Sequence, residues 1–247
     1  VRVYDYVKGR TPKEWEQLGG DIYGKAQYDN FGQSVSLNGD GTIVAIGSDR
    51  NEGNGTGLSY DAGQVRVYKY VNSNWDQLGS EINGEAESDY SGFSVSLSND
   101  GTILAIGAKY NDGPTNINNI GHVRVYQYVS GLYVSDWVQV GYDLDGEANA
   151  DEFGYSVSLS KNGSTLVVGA YSHDTNNVYN AGRAYTYELV KKPITSIVKM
   201  GTPIDGDGGA FGGVSLNEDG TVLAIGAYGY SGGLVRVFKY NESSWDQ

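Results

Sequence analysis

The feature that most constrains this chain is that it repeats itself. The run Val1-Arg2-Val3-Tyr4 returns as Val65-Arg66-Val67-Tyr68 and as Val123-Arg124-Val125-Tyr126. It returns in altered form as Ala184-Tyr185-Thr186-Tyr187, and again as Val235-Arg236-Val237-Phe238. The spacings are 64, 58, 61 and 51 residues, and each period carries the same segments in the same order. A Trp-x-Gln-Leu-Gly run follows (Trp15 to Gly19, Trp75 to Gly79, with a Val variant at Trp137 to Gly141), then an acidic stretch such as 82–89. Next come Phe-Gly-x-Ser-Val-Ser-Leu (Phe31 to Leu37, Phe153 to Leu159), Asp-Gly-Thr, and an apolar run ending in Gly-Ala (Ile103 to Ala108, Val222 to Ala227). Short apolar runs in periods of this length are the mark of propeller blades, units that bury their faces only by stacking on neighbours.

The segments read as strands. Val35 and Leu37 alternate with polar residues and share one face, whereas Ile103 to Ala108 is continuously apolar, as a strand buried on both faces would be. Asp40-Gly41, Asp100-Gly101, Asn162-Gly163 and Asp219-Gly220 each separate two runs and predict two-residue type I′ hairpins. Naming the strands of a period A (GxSVSL), B (TILAIGA), C (VRVYxY) and D (WxQLG), the chain holds four A–B pairs and five C–D pairs. The predicted fold is all-β: a β-propeller of four-stranded antiparallel blades, with four full repeats plus one half-blade. It forms a single domain or propeller fragment over 1–247, with repeats starting at 1, 65, 123, 184 and 235. The chain opens inside a strand-like run without a Met start or a signal peptide and reads as a piece of a longer precursor.

Composition removes several classes of function. With no Cys and 2 His there is no disulfide framework, thiol nucleophile or Cys/His zinc site. Thirty acidic against 17 basic residues give a net charge of −13, which disfavours nucleic acid and anionic membrane as partners. No apolar run approaches the roughly 20 residues that span a bilayer.

Phe-Gly-x-Ser-Val, followed after a turn by an apolar run ending in Gly-Ala, resembles the FG-GAP repeat, the blade unit of the integrin α-subunit head. The pairs are Phe31-Gly32 with Ile46-Gly47-Ser48, Phe153-Gly154 with Val168-Gly169-Ala170, and Phe211-Gly212 with Ile225-Gly226-Ala227. The second copy has Ser91-Gly92 in place of Phe-Gly. The resemblance implies an extracellular β-propeller used for adhesion or ligand binding. The family's Asp-rich calcium loop between strands A and B is not matched: the connection here is Leu37-Asn-Gly-Asp-Gly-Thr42, with few ligand oxygens.

In an up-and-down blade the B–C and D–A connections share one face. The B–C loops (long at 49–63, 109–121 and 171–182, short at 228–233) are unlike one another and rich in Asn, Gly, Asp and Tyr. Variable loops on a rigid scaffold are where binding usually sits. Asp49, Asn51, Tyr110, Asp112, Tyr171, His173, Asp174, Tyr228 and Tyr230 are the candidate ligand-binding residues. Asp29, Asp89 and Asp151 recur at equivalent positions, and an Arg recurs in strand C of the same periods; both are missing from the fourth. That co-occurrence predicts three structural ion pairs, of Arg2 with Asp29, Arg66 with Asp89 and Arg124 with Asp151. Asp205 and Asp207 have no Arg in their own period and are the remaining candidates for a cation, Ca²⁺ by class, with no other cofactor expected.

The first functional expectation is a non-enzymatic extracellular module binding a protein or glycan at the cell surface through the B–C loop face. A structural subunit of a surface assembly, joined to other copies or chains through its terminal half-blades, is the alternative. A carbohydrate-active enzyme, built from two loop carboxylates roughly 5–10 Å apart, is the third.

Overall fold

A computed structural model describes residues 1–6, 14–52, 60–114, 118–131, 135–175, 178–190, 193–229 and 232–247. It is all-β. Strands β1 (Tyr4–Tyr6) and β2 (Trp15–Gln17) form a two-stranded half-blade. Four antiparallel blades follow. Blade 1 is β3 (Ser34–Leu37), β4 (Ile43–Ser48), β5 (Gln64–Val71) and β6 (Asn74–Gln77); blade 2 is β8 (Ser94–Leu97), β9 (Ile103–Ala108), β10 (His122–Ser130) and β11 (Ser135–Gln139). Blade 3 is β13 (Phe153–Leu159), β14 (Thr165–Ala170), β15 (Arg183–Val190) and β16 (Ser196–Lys199). Blade 4 is β18 (Gly209–Leu216), β19 (Val222–Gly229), β20 (Leu234–Tyr240) and β21 (Trp245–Asp246). The fourfold A–B–C–D order is the predicted one. The outermost strand is broken where Gly79 and Gly141 adopt positive φ (75° and 74°). The chain then rejoins strand C as β7 (Ile82–Asn83), β12 (Leu144–Asp145) and, in blade 3, β17 (Ile204–Asp205).

The B strands β4, β9 and β14 are buried along their whole length, as their unbroken apolar sequence requires. Four of the five C–D pairs are locked by one Tyr–Trp contact in register (Tyr6–Trp15, Tyr70–Trp75, Tyr128–Trp137 and Tyr240–Trp245, with ring centres 5.2–5.3 Å apart), and in blade 3 Leu189 and Ile197 take that place. The indole nitrogens of Trp75 and Trp137 donate to the Leu18 and Leu78 carbonyls of the preceding unit, fastening one blade to the next.

The connections between A and B are not two-residue type I′ turns. Pairing ends at Asn38 N to Ile43 O, and of the four linking residues only Gly41 has positive φ (74°). Asp40 instead accepts the N–H and hydroxyl of Thr42 on Oδ1 (3.0 and 2.6 Å), closing the turn with its side chain. Asp100, Asn162 and Asp219 do the same with Thr102, Ser164 and Thr221.

Three parallel series of contacts join successive blades. In the turns, Gly39 N donates to Asn99 O, Asn99 N to Lys161 O, and Lys161 N to Glu218 O (2.8–2.9 Å). On strand A, Leu97 N, Leu159 N and Leu216 N donate to Ser36, Ser96 and Ser158 Oγ of the blade before. Where the blades come closest, the motif glycines meet backbone to backbone: a Cβ on Gly47 would sit 2.0 Å from Gly92 O, and one on Gly107 2.1 Å from Gly154 O. Ser34 and Ser94 Oγ donate to those same carbonyls.

The blades form an open arc. Val235 and Val237 are 71% and 53% exposed, where the equivalent Val65, Val67, Val123 and Val125 are at most 1%. At the other end Val35 and Leu37 are 55% and 48% exposed, against 9% and 7% for Val95 and Leu97.

Gly107→Ala forces a methyl into the Gly154 carbonyl and should cost about 3 kcal/mol. Gly41→Ala, at a positive φ that Gly107 does not share but with open space around it, should cost about 1 kcal/mol. Urea unfolding of the two variants checks the difference; equal losses would mean that blade contact is not the limiting constraint.

Candidate ligand-binding face

The three recurring aspartates are buried, at 5%, 2% and 1% exposure for Asp29, Asp89 and Asp151, but among the described residues no arginine pairs with them. Asp29 accepts the Ala26 N–H and the Asn51 amide; Asp89 accepts the Ala86 N–H and the Asn111 amide. Asp151 accepts the Glu147 and Ala148 N–H groups and lies 2.9 Å from His173 Nδ1. Asn51, Asn111 and His173 occupy equivalent positions in successive B–C loops. The aspartate therefore ties the D–A linker to the loop beside it, satisfying buried donors within the backbone's reach.

The expected Arg–Asp pairs are thereby corrected. Arg2 forms a two-pronged pair with Asp21. Arg66 donates to the Tyr68 hydroxyl and lies over the Phe31 ring, 4.4 Å from its centre. Arg124 sits 3.4 Å from Glu85 and donates to the Asn83 carbonyl. Only Arg124 takes the linker acid four residues before a buried aspartate, Glu85 before Asp89; the first linker has Lys25 at that place, and Arg66 turns to Tyr68 and Phe31 instead. Asp205 and Asp207 are not available as a cation site either: Arg183 binds Asp205 and Arg236 binds Asp207.

On both sides of each buried aspartate the backbone is left-handed at non-glycine residues. These are Tyr28 and Asn30, Ser88 and Tyr90, and Ala150 and Glu152, with φ from 53° to 77°. Such residues cost about 1 kcal/mol each and persist where surrounding contacts hold them. The strain is repeated three times, and it sets the residue after each aspartate on the B–C face.

The predicted loop residues divide accordingly. Asn51 and His173 are structural partners of the buried aspartates. Asp49 is 4% exposed, and burial pushes its carboxyl above the ordinary value. Asp112 and Asp174 accept the Asn119 and Asn180 N–H groups, closing their own loops. Tyr230 lies outside the described residues. Tyr110, Tyr171 and Tyr228 remain, and they belong to a larger surface.

That surface is a strip of rings crossing blades 2 to 4. Arg50 lies 5.9 Å from the centre of the Tyr90 ring, and Tyr90 packs edge-on against Tyr110 at 5.1 Å. Lys109 Nζ sits 4.3, 4.0 and 5.2 Å from the centres of Tyr110, Phe93 and Tyr155. Tyr155 stacks on Tyr171 at 4.5 Å, and Tyr228 meets Tyr171 at 5.4 Å. The Tyr155 and Tyr228 hydroxyls are 3.4 Å apart, and that contact, with burial, pushes the Tyr155 phenol well up. Asp61 accepts the Tyr90 hydroxyl, and Glu152 sits beside Ser172 with its carboxyl raised by burial. The strip thus offers flat apolar faces, phenol hydroxyls, two cations and two carboxylates.

The sequence reading missed Tyr90, Phe93, Lys109 and Tyr155. Phe93 and Tyr155 are the variable residue of the Phe-Gly-x motif, and Lys109 directly follows the Gly-Ala ending. Superposing the repeats and marking where aromatics replace Gln33 would have found Phe93 and Tyr155; Tyr90, in place of Asn30, and Lys109, in place of Asp49, carry no such mark. Among the described residues, one trio of possible metal donors converges: Glu85, His122 and Asp143, with donor atoms within 4.8 Å of one another.

Asp89→Ala should cost about 2–3 kcal/mol, because the Asn111 amide and Ala86 N–H lose a buried acceptor. Asp112→Ala, at an exposed loop position, should cost about 1 kcal/mol. Chemical denaturation of both variants checks this, and a smaller loss for Asp89 would contradict its role as the tie.

Comparison with known proteins fits this architecture. Residues 143–187, within blade 3 and its preceding linker, match the FG-GAP repeat family. No curated protein matches the chain. The periplasmic gluconolactonase PpgL of Pseudomonas aeruginosa superposes with a TM-score of 0.63 at 15% identity. That alignment covers 100% of this chain and 62% of PpgL, so the chain spans under two thirds of that protein's length. Sqt1 of Chaetomium thermophilum, solved bound to the N-terminus of a ribosomal protein, gives 0.53 at 15% identity over 86% of this chain and 46% of its own. The β-propeller domain of Cps50 (Swd1) from Myceliophteria thermophila gives 0.50 at 11% identity over 84% and 53%. At such identities these likenesses concern the fold. The family match, the recurrence of its segments in all four blades and the propeller architecture make this chain a β-propeller of FG-GAP-type repeats.

Proposed function

We propose that the chain is a non-enzymatic binding module that engages an extracellular protein or glycan through the B–C loop face. The observation that carries this reading is the continuous strip from Arg50 to Tyr228. Tyrosine supplies large contact area at small entropic cost, and its hydroxyl supplies orientation. Lys109 and Arg50 add charge where the chain as a whole is strongly acidic. Sqt1, with a similar fold, was solved bound to the N-terminus of a ribosomal protein.

A second reading rests on a separate observation, the uncovered apolar faces at Val235 and Val237 and at Val35 and Leu37. A structural subunit would cover such faces by joining other chains edge to edge. Sedimentation over a range of concentrations separates the two: a monomer favours the module, and a growing assembly favours the subunit.

Tyr171→Ala combined with Tyr228→Ala should weaken binding to an immobilised glycan array or to intact cell surfaces by about tenfold or more, as loss of clustered aromatic contacts does. Tyr142→Ala removes a ring that is 93% exposed and belongs to no cluster, and should leave binding unchanged. Retained binding in the double variant would sink the assignment of this face.

A further inference from the structure

One node recurs at the junction of linker, strand C and strand D in each of blades 1 to 3, and its charge is balanced differently each time. In blade 3 it holds Glu147, Arg183, Asp205 and Lys199. Arg183 donates to both carboxylates, and Lys199 Nζ lies 3.0 Å from Glu147. In blade 1 the same positions are Lys25, Gln64, Asn83 and Gln77, and Gln64 donates to Asn83. In blade 2 they are Glu85, His122, Asp145 and Gln139. The register proves the equivalence: Gln64, His122 and Arg183 pair with Asn83, Asp145 and Asp205. Blade 2 therefore keeps both carboxylates of blade 3, adds Asp143, and replaces the guanidinium by an imidazole and the ammonium by an amide.

We propose that the blade 2 node is a binding site for a first-row divalent transition-metal cation of the Zn²⁺ type, held by Glu85, His122 and Asp143. The donor atoms lie within 4.8 Å of one another, and bond lengths of about 2.0–2.2 Å place donors on opposite sides of a metal about 4 Å apart, so small side-chain shifts close the site. The His122 side chain is 2% exposed, its Nε2 is buried without a hydrogen-bond partner, and its Nδ1 faces Glu85 Oε2 at 3.9 Å, too far for a hydrogen bond. Both carboxylates are already oriented from behind. Arg124 holds Glu85 by Oε1, and Gln139 Nε2 donates to Asp143 Oδ1 at 2.7 Å. Outer partners of this kind fix metal ligands. A cleft of about 500 Å³, lined in part by Glu85, Asp143 and Asp145, gives the ion a way in and room for water as a further ligand. A nitrogen donor among carboxylates favours Zn²⁺ over Ca²⁺ and Mg²⁺, which prefer oxygen alone.

The test is calorimetric titration of ZnCl₂ into the untagged 247-residue chain after dialysis against EDTA. One site is expected, with no comparable response to MgCl₂ or CaCl₂. His122→Gln copies blade 1 at this position and should weaken Zn²⁺ binding at least about tenfold, with an unchanged circular dichroism spectrum. Asp143→Asn should do the same and serves if the His122 variant does not fold. Absence of heat at millimolar Zn²⁺, a stronger response to CaCl₂, or full affinity in the folded variants would overturn the site.

Discussion

Everything in this propeller depends on how closely the backbones of adjacent blades approach. At Gly47 against Gly92, and at Gly107 against Gly154, no side-chain atom fits between them. The glycines admit the contact, and Ser34 and Ser94 convert it into hydrogen bonds. Farther along, the Leu-to-Ser and turn-to-turn series repeat the pattern. The third junction is looser: a Cβ on Gly169 would stand 3.8 Å from Phe211 O, and Ser156 Oγ is buried with no partner. Cohesion therefore weakens toward blade 4, whose far side is also uncovered.

The same rigidity builds the binding face. With the B strands fixed, the residue after each Gly-Ala ending emerges at a set point, and the motif's variable residue lies beside it. Asp49, Lys109, Tyr171 and Tyr228 share the first position; Gln33, Phe93, Tyr155 and Gly213 share the second. Aromatics fill these points only from blade 2 onward, so the strip is local to one sector of the arc. The buried aspartates hold the linkers in a left-handed conformation that places Tyr90 and Glu152 in the same surface.

Strand order, blade number and the half-blade were legible in the sequence because repetition shows each unit several times. The turn geometry was not. Asp-Gly is compatible with two turn types, and the choice was made by Thr42 and its counterparts, whose N–H and hydroxyl the aspartate accepts. The partners of Arg66 and Arg124 were misassigned for a related reason. Co-occurrence within a period pointed one linker too late: Arg124 faces the preceding linker and takes Glu85 there, four residues before Asp89, while Arg66 faces the linker carrying Tyr23 and meets Tyr68 and Phe31. The strip was half visible: tyrosines in loops stood out, whereas Tyr90, Phe93 and Tyr155 sit in segments that read as structural.

The central claim is that each blade is stabilised chiefly by its neighbours. Amide hydrogen exchange of the intact chain, followed by mass spectrometry, tests it most directly. Residues 43–48, 103–108 and 165–170, flanked on both sides, should exchange slowest, and 222–229 markedly faster. Equal protection of 222–229 would contradict the account, because it would require the outer face of blade 4 to be covered in solution or blade stability to be independent of stacking.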